Sequence, residues 1–391
     1  MNLEYTDEQR AFRQEVRSWM EANVPAQPLP SFDLTREGFE AHRDWERMLN
    51  DGRWGMVTWP EELGGRDLDL IRWLIFEEEY YRAGAPTRVN QNGIFLLGPT
   101  MMEFGTDDQK ARFLPRMAAG DDVWAQAWSE PGAGSDLAGV RSTCTRAKND
   151  EWGDHYVLNG QKIWSSRATF ADWAFGLFRE PGSERHKGMS LVLFPLDAPG
   201  VTRRPIARMD GELVFAEIFL DNVRVPVADR LGEEGQGWHV CMATAGFERG
   251  LLLRSPARYQ MAASKLIALY EAHKHEVPAS IGERVAKCWM GAEAYALTIY
   301  AMASRLAAGG TIGPEASTNK IFWSELDIAI HQTAIDILGD RADLLSTAPD
   351  ASDVDSWLDG HVFALSGPIY AGSNEIQRNI IAERMLGMPR A

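Results

Sequence analysis

The chain has 391 residues, with 40 basic and 56 acidic side chains for a formal charge of −16, and 45% of its residues are apolar. That mix excludes global disorder, because there is apolar surface enough to offset chain entropy. The acidic balance argues against a nucleic-acid partner, which asks for a basic face.

The length sets a prior of two to three domains. Met1 to Glu8 is acidic with no apolar core, and no run of 18 apolar residues occurs, so neither a signal peptide nor a membrane span is expected. Cys144, Cys241 and Cys288 lie far apart, without metal or disulfide spacing, which points to a reducing compartment and a cytoplasmic protein.

In chain order, Thr6 followed by Gln9 reads as a capping box, and Phe12, Val16 and Trp19 follow at helical spacing. A second helix is predicted from Gly38 to Gly52, a turn at Trp59–Gly65, and further helix near Leu68, over Gly98–Phe104 and after Thr106. From about Asp121 the pattern turns to strands. Tyr156–Trp164 reads as a hairpin around Asn159-Gly160, and Met189–Leu196, Val214–Leu220 and Val223–Pro226 read as strands. Long helices return at about 238–272, 281–308, 316–347 and 374–386. Ser346 to Asp355 reads as an exposed loop. The predicted domains are 1–120 (helical), 121–235 (β) and 236–391 (helical). This segregated order defines an α+β protein and excludes a doubly wound sheet, which would alternate.

The chain lacks a G-x-G-x-x-G, a P-loop, an H-E-x-x-H and a G-x-S-x-G. Four segments stand out instead. Trp128-Ser129-Glu130-Pro131-Gly132-Ala133-Gly134-Ser135 is a Gly-rich loop whose backbone a flat or phosphorylated ligand can approach. Trp164-Ser165-Ser166 puts an indole beside two hydroxyls. Glu248-Arg249 sits on a predicted helix. Tyr370-Ala371-Gly372-Ser373-Asn374-Glu375 leads into the last helix. Read singly, each also fits a plain role: a turn, a core tryptophan, a surface ion pair, a helix start.

Together, in this order and spacing, the four segments resemble the acyl-CoA dehydrogenase family. Trp59-Pro60, Gly105-Thr106 through Leu114-Pro115, and Ile380–Gly387 carry the resemblance along the whole chain. It implies an N-terminal helical domain, a middle β-sandwich and a C-terminal four-helix bundle. It further implies FAD, and α,β-dehydrogenation of an acyl-CoA thioester to the 2,3-enoyl-CoA. Carried over residue by residue, Gln126, Trp128, Ser129, Gly134, Ser135, Trp164, Ser165, Ser166, Ser373 and Glu375 are the expected flavin contacts. Ser135, Arg249 and Tyr370 are the expected substrate contacts, and no metal is expected. An electron-transfer flavoprotein-type acceptor and a homodimer, homotetramer or heteromer are implied as partners.

Three departures matter. Ala371 stands where the family's commonest catalytic glutamate would be, so the base is expected at Glu248, as in the subset with a Glu-Arg pair on the first long C-terminal helix. Asp336–Asp340 replaces the family's Gln-x-x-Gly-Gly, and Ala272–Pro278 replaces its Arg-x-x-Phe-Gly; both motifs normally serve the neighbouring subunit's flavin. A flavin oxidase on the same fold, and a subunit that completes a heteromeric dehydrogenase, are the competing readings.

Overall fold

A computed structural model describes residues 4–209, 211–249, 255–344 and 357–389, the side chains of 247–249 excepted. The loop expected at Ser346–Asp355 lies outside the described residues. By compactness the chain forms two units. One is Met1–Val24, Asp69–Ala85 and Arg249–Ala391; the other is Pro25–Leu68 and Pro86–Glu248.

The first unit is helical. Helix α1 (Asp7–Asn23) starts at the Thr6–Gln9 capping box and buries Phe12, Val16 and Met20. Helix α3 (Leu70–Arg82) is capped by Asp69 and buries Trp73, Phe76 and Tyr80. Each such burial is worth about 2 kcal/mol. Between them, the buried carboxylate of Glu79 receives Arg13, Arg17 and Arg82, so its charge is fully compensated. Helices α7 (Pro256–His273), α8 (Ala279–Ala307) and α9 (Ala316–Leu338) pack on one another, and α3 packs on α7 and α8. Short helices α10 (Trp357–Ala364) and α11 (Asn374–Ile380) pack against α9.

The second unit holds α2 (Arg36–Asp51), α4 (Gly98–Phe104), α5 (Asp107–Ala118), the strands, and α6 (Gly237–Arg249) as far as Glu248. The strands are β1 (Trp124–Ala127), β2 (Thr143–Asn149), β3 (Gly153–Ser166), β4 (Trp173–Arg179), β5 (Met189–Pro195), β6 (Val201–Ile206), β7 (Phe215–Pro226) and β8 (Arg230–Leu231). Their order is β6-β7-β3-β2-β4-β5-β8, with β1 parallel to β4. The β2–β4 link is the single pair Thr143–Arg179, so two arms of sheet hinge there. Tyr156, Leu158, Ile218 and Val225 from one arm meet Ala125, Phe178, Val192 and Phe194 from the other in one apolar core. This is the sandwich that the resemblance implies.

Several sequence expectations are corrected. Asn159-Gly160 is no hairpin turn: β3 runs straight through it, with a bulge at Leu158/Gly160. Gly160 is glycine because Ser142, just before β2, lies so close that a Cβ would be 2.2 Å from its Oγ. The turn lies earlier, where Asn149 Oδ1 accepts the Trp152 amide at 2.7 Å and Gly153 takes φ +63°. Val214–Leu220 and Val223–Pro226 are one strand, β7. The helix expected over 238–272 is two, α6 and α7, because Pro256 takes the first helical position behind the Ser255 cap. The helix at 316–347 stops at Leu338, where Gly339 takes φ +56°. The last helix becomes a π-helix over Ile381–Met385.

Candidate active site

In the second unit two of the predicted segments come together. β1 positions Gln126, paired with Phe175 of β4, and leads into Trp128 and Ser129. Trp128 packs edge-on against Phe175 at 6.0 Å. The Gly-rich loop then turns tightly: the Glu130 and Ala133 backbones exchange hydrogen bonds of 3.1 and 2.9 Å. The Ile163 amide donates to the Ser129 carbonyl at 2.9 Å, which fixes the loop against the end of β3.

At that end the ladder is broken by a second bulge, between Lys162 and Ser165. Within it Trp164 takes φ +59°, a left-handed conformation that costs a bulky residue about 1–2 kcal/mol. The bulge turns the indole out, 56% exposed, with its edge on Phe215 at 5.8 Å. Held exposed at a strand end, the indole adds little to the core of the sheet. Ser165 beside it is fully buried, yet its Oγ has no hydrogen-bond partner; the indole Nε1 of buried Trp128 also has none. Ser166 is half-buried and its carbonyl accepts from Asn92. Ser135 is exposed, and its neighbour Asp136 receives both guanidinium nitrogens of Arg185 at 2.9 and 3.0 Å.

Sequence reasoning missed Lys162. It is fully buried, with Nζ 2.8 Å from Glu130 Oε1. Burial pushes its pKa down against the pull of Glu130. Burial pushes the Glu130 carboxyl up, but Lys162 and the amides of Ser142 and Arg141 outweigh this and hold it below the usual range. Strand parity could have found Lys162: Tyr156, Leu158 and Lys162 share one side of β3.

Glu248 and Arg249 close α6, and their side chains lie outside the description. Arg258 sits on α7, where its guanidinium pairs with buried Asp327 at 2.8 Å.

In the first unit the last loop is pinned from below. Buried Lys320 of α9 donates to the Gly367 carbonyl and to Asn374 Oδ1, both at 2.8 Å. Gln377 Nε2 donates to the Ala371 and Gly372 carbonyls at 3.3 and 3.0 Å. Tyr370 stacks on Trp323 at 6.0 Å. Ala371 takes φ +56° and Gly372 φ +77°. Ser373 caps α11 through the Ile376 amide at 3.4 Å. Glu375 is exposed; its own backbone amide, then Ser373 and Arg378, hold its carboxyl low. Asp336, in the altered motif, pairs with Arg284 at 2.5 Å and accepts from Gln332 at 3.0 Å.

The chain matches the family models for the acyl-CoA dehydrogenase N-terminal domain over residues 6–121, the middle domain over 125–223 and the C-terminal domain over 235–386. It belongs to the acyl-CoA dehydrogenase family, whose members are oxidoreductases and flavoproteins. Among its relatives, the acyl-CoA dehydrogenase IpdE1 of Mycobacterium tuberculosis is 40% identical over 97% of each chain. Among solved structures, the ChsE4-ChsE5 complex from Mycobacterium tuberculosis aligns over 100% of both chains with TM-score 0.85 and 32% identity. The Tcur3481-Tcur3483 steroid ACAD aligns over 100% of both chains with TM-score 0.86 and 27% identity.

A flavin fits what the second unit presents. At Gly132 and Gly134 an added Cβ would meet nothing within 4 Å, and neither glycine takes a positive φ. Their side chains are therefore dispensed with neither for the fold's packing nor for its backbone, but leave the loop's face clear. The orphaned Ser165 hydroxyl and Trp128 indole N–H are buried polar groups of the kind a bound ring's heteroatoms satisfy. No group of three or more His, Cys, Asp or Glu side chains suited to a metal occurs among the described residues. No helix among them is long and apolar enough to cross a membrane.

Proposed function

We propose that the chain is an FAD-dependent dehydrogenase that removes the α and β hydrogens of an acyl-CoA thioester to give the 2,3-enoyl-CoA. The observation that carries this reading is the cradle of Trp128–Ser135 and Trp164–Ser166, with its clear glycine face and unpartnered buried polar atoms. Bound FAD supplies the acceptor for the β hydride.

The chain's own residues do the rest. Gln126, Ser129, Gly134 and Ser165 hold the flavin edge, Trp164 covers it, and Ser166 completes its contacts in this unit. Ser135 lines the thioester arm, and Arg249 supplies a cation to the CoA side, needed because the protein's net charge repels an anionic ligand. Glu248 takes the α proton. A carboxylate in a water-poor cleft is raised in pKa and basicity, which suits it to so weak a carbon acid. Ala371, in the other position from which the family delivers a base, carries no basic group.

The acyl group is read as bulky and ring-bearing, after the neighbour titled a steroid ACAD. The electron acceptor is an electron-transfer flavoprotein-type protein. The assembly is a homodimer, a homotetramer or a heteromer. The heteromer is favoured by the neighbour solved as a complex of two named chains and by Arg284, which is tied to Asp336 in the motif that serves a neighbouring flavin elsewhere in the family.

The test is bleaching of bound flavin by a panel of linear and ring-bearing acyl-CoAs. Ring-bearing thioesters are expected to bleach wild type, while Glu248→Gln keeps flavin and ligand binding and loses bleaching. Normal reduction in Glu248→Gln refutes the base assignment. Stoichiometric hydrogen peroxide in air would make the protein an oxidase instead.

A further inference from the structure

Glu130 and Lys162 have no part in the chemistry above, yet burying them is costly. A paired charge this deep is commonly matched or bettered in stability by two apolar residues of the same volume. What apolar residues could not supply is direction. The Lys162 ammonium donates to Glu130 Oε1 at 2.8 Å, to the Leu177 carbonyl at 2.5 Å and to the Trp128 carbonyl at 3.4 Å, and it lies over the Phe178 ring, 4.8 Å from its centroid. The Glu130 carboxylate accepts the Arg141 amide at 2.6 Å and the Ser142 amide at 2.9 Å.

These contacts reach the start of the Gly-rich loop, Arg141 and Ser142 where the chain re-enters the sheet after it, the adjacent strand β4, and β3 two residues before Trp164. Glu130 follows Ser129 directly, and Lys162 precedes Ile163, whose amide bonds the Ser129 carbonyl. The pair thus spans the two arms of the cradle at the point where they touch.

We propose that Glu130 and Lys162 are a positioning pair: a buried ionic latch that holds the Trp128–Ser135 loop at a fixed distance from the Trp164–Ser166 bulge, so that the cradle is set before the flavin arrives. The purpose of the latch rests on the flavin reading; its mechanical action does not. Charge is used because each partner must bind several backbone groups at once, which sets the loop in one place.

Lys162→Met alone leaves a carboxylate buried without its cation, which endangers the fold. The informative variants are Glu130→Gln with Lys162→Met, which removes both charges, and Glu130→Asp, which keeps both and draws the carboxylate back by one carbon. Three quantities are read: thermal melting, amide hydrogen exchange over residues 129–142 without flavin, and FAD affinity with the visible spectrum of the bound flavin, each in the assembly in which wild type purifies. In whichever variant folds, exchange over 129–142 is expected to rise. The FAD dissociation constant is expected to rise about ten-fold or more, the order of loss that misplaced positioning groups produce, with an altered flavin band shape. A folded variant with wild-type exchange and wild-type FAD affinity overturns the proposal. A wild-type chain that takes up no FAD is a failure of the flavin reading, seen before any variant is made; raised exchange in the variants would then still support the latch.

Discussion

Asn90 gives the sharpest test of how the site's scaffold is held. It is fully buried, and its side chain meets three residues of the stretch that joins α5 to β1. Nδ2 donates to the carbonyls of Met117 and Asp122, both at 3.0 Å, and Oδ1 accepts the Trp124 amide at 3.0 Å. Its own amide donates to Glu46 at 3.2 Å. Through Trp124 it fixes the start of β1, the strand that carries Gln126 and leads into Trp128. In Asn90→Ala the Met117 carbonyl keeps a backbone partner in Ala119, whereas Asp122 O and Trp124 N lose the side chain that satisfies them. Two stranded buried groups at 1–3 kcal/mol each give a loss of about 4 kcal/mol. For a unit of this size that is a fall in Tm of about 8–16 °C. Asn90→Asp separates the causes. It fills the same volume and still accepts from Trp124, but it turns two donors into an acceptor facing two carbonyls and brings a charge toward Glu46. It is therefore expected to be at least as damaging as alanine. The assay is urea unfolding followed by tryptophan fluorescence, with the Asn90 variants compared at equal denaturant slope. An Asn90→Asp protein within 1 kcal/mol of wild type would refute the reasoning, since only volume would then matter.

Three further outcomes follow from other residues. Burial holds the His42 pKa below that of an ordinary imidazole while its Nδ1 donates to the Thr87 carbonyl at 2.7 Å. The unfolded chain therefore binds the extra proton as pH falls through 6.5, so stability drops from pH 7 toward pH 5, and His42→Asn, which keeps a donor there, flattens that part of the melting-versus-pH curve. Ala371→Gly relieves the φ of +56° and leaves melting unchanged or stabilised by up to about 1 kcal/mol, whereas Ala371→Val, β-branched in the left-handed region, costs more than about 1 kcal/mol. Trp164→Gly removes both the strain and the exposed indole, so calorimetry of the flavin-free protein shows equal or higher Tm while FAD titration shows weaker binding; a large loss of Tm would make Trp164 a packing residue.

What was legible in the sequence was what rests on local chemistry. The Thr6–Gln9 box caps α1 as read and Thr106 caps the helix expected after it, because capping needs only residues three apart. The α-then-β-then-α order needed only a change of period. The misreadings came from distant neighbours. Asn159-Gly160 has a hairpin's composition, but its glycine answers to Ser142, just ahead of the strand alongside. Ser255-Pro256 does mark a helix start locally, but the apolar helical period on either side of it masks the break. In the site, the Gly-rich loop and Trp164 could be picked out by residue type. That Trp164 is turned out by a bulge, that Ser165 is left without a partner, and that Lys162 lies beneath Glu130 all depend on pairing between β3, β4 and β7, which no window along the chain contains.

The order of the chain through its two units bears on synthesis. Helices α1 and α3 belong with α7 and α8, yet the whole strand-bearing unit is translated in between. At the usual 5–20 residues per second, Trp73, Phe76 and Tyr80 wait on the order of ten to forty seconds for the surface that covers them. Throughout that interval the ribosome displays an amphipathic helix pair with its apolar side open, a ready client for trigger-type chaperones. A circular permutant beginning near Pro86 and returning through α1 to α3 after the last helix would bring out α7 and α8 before α1 and α3, leaving only Pro25–Leu68 apart from the rest of its unit, and should need such help less.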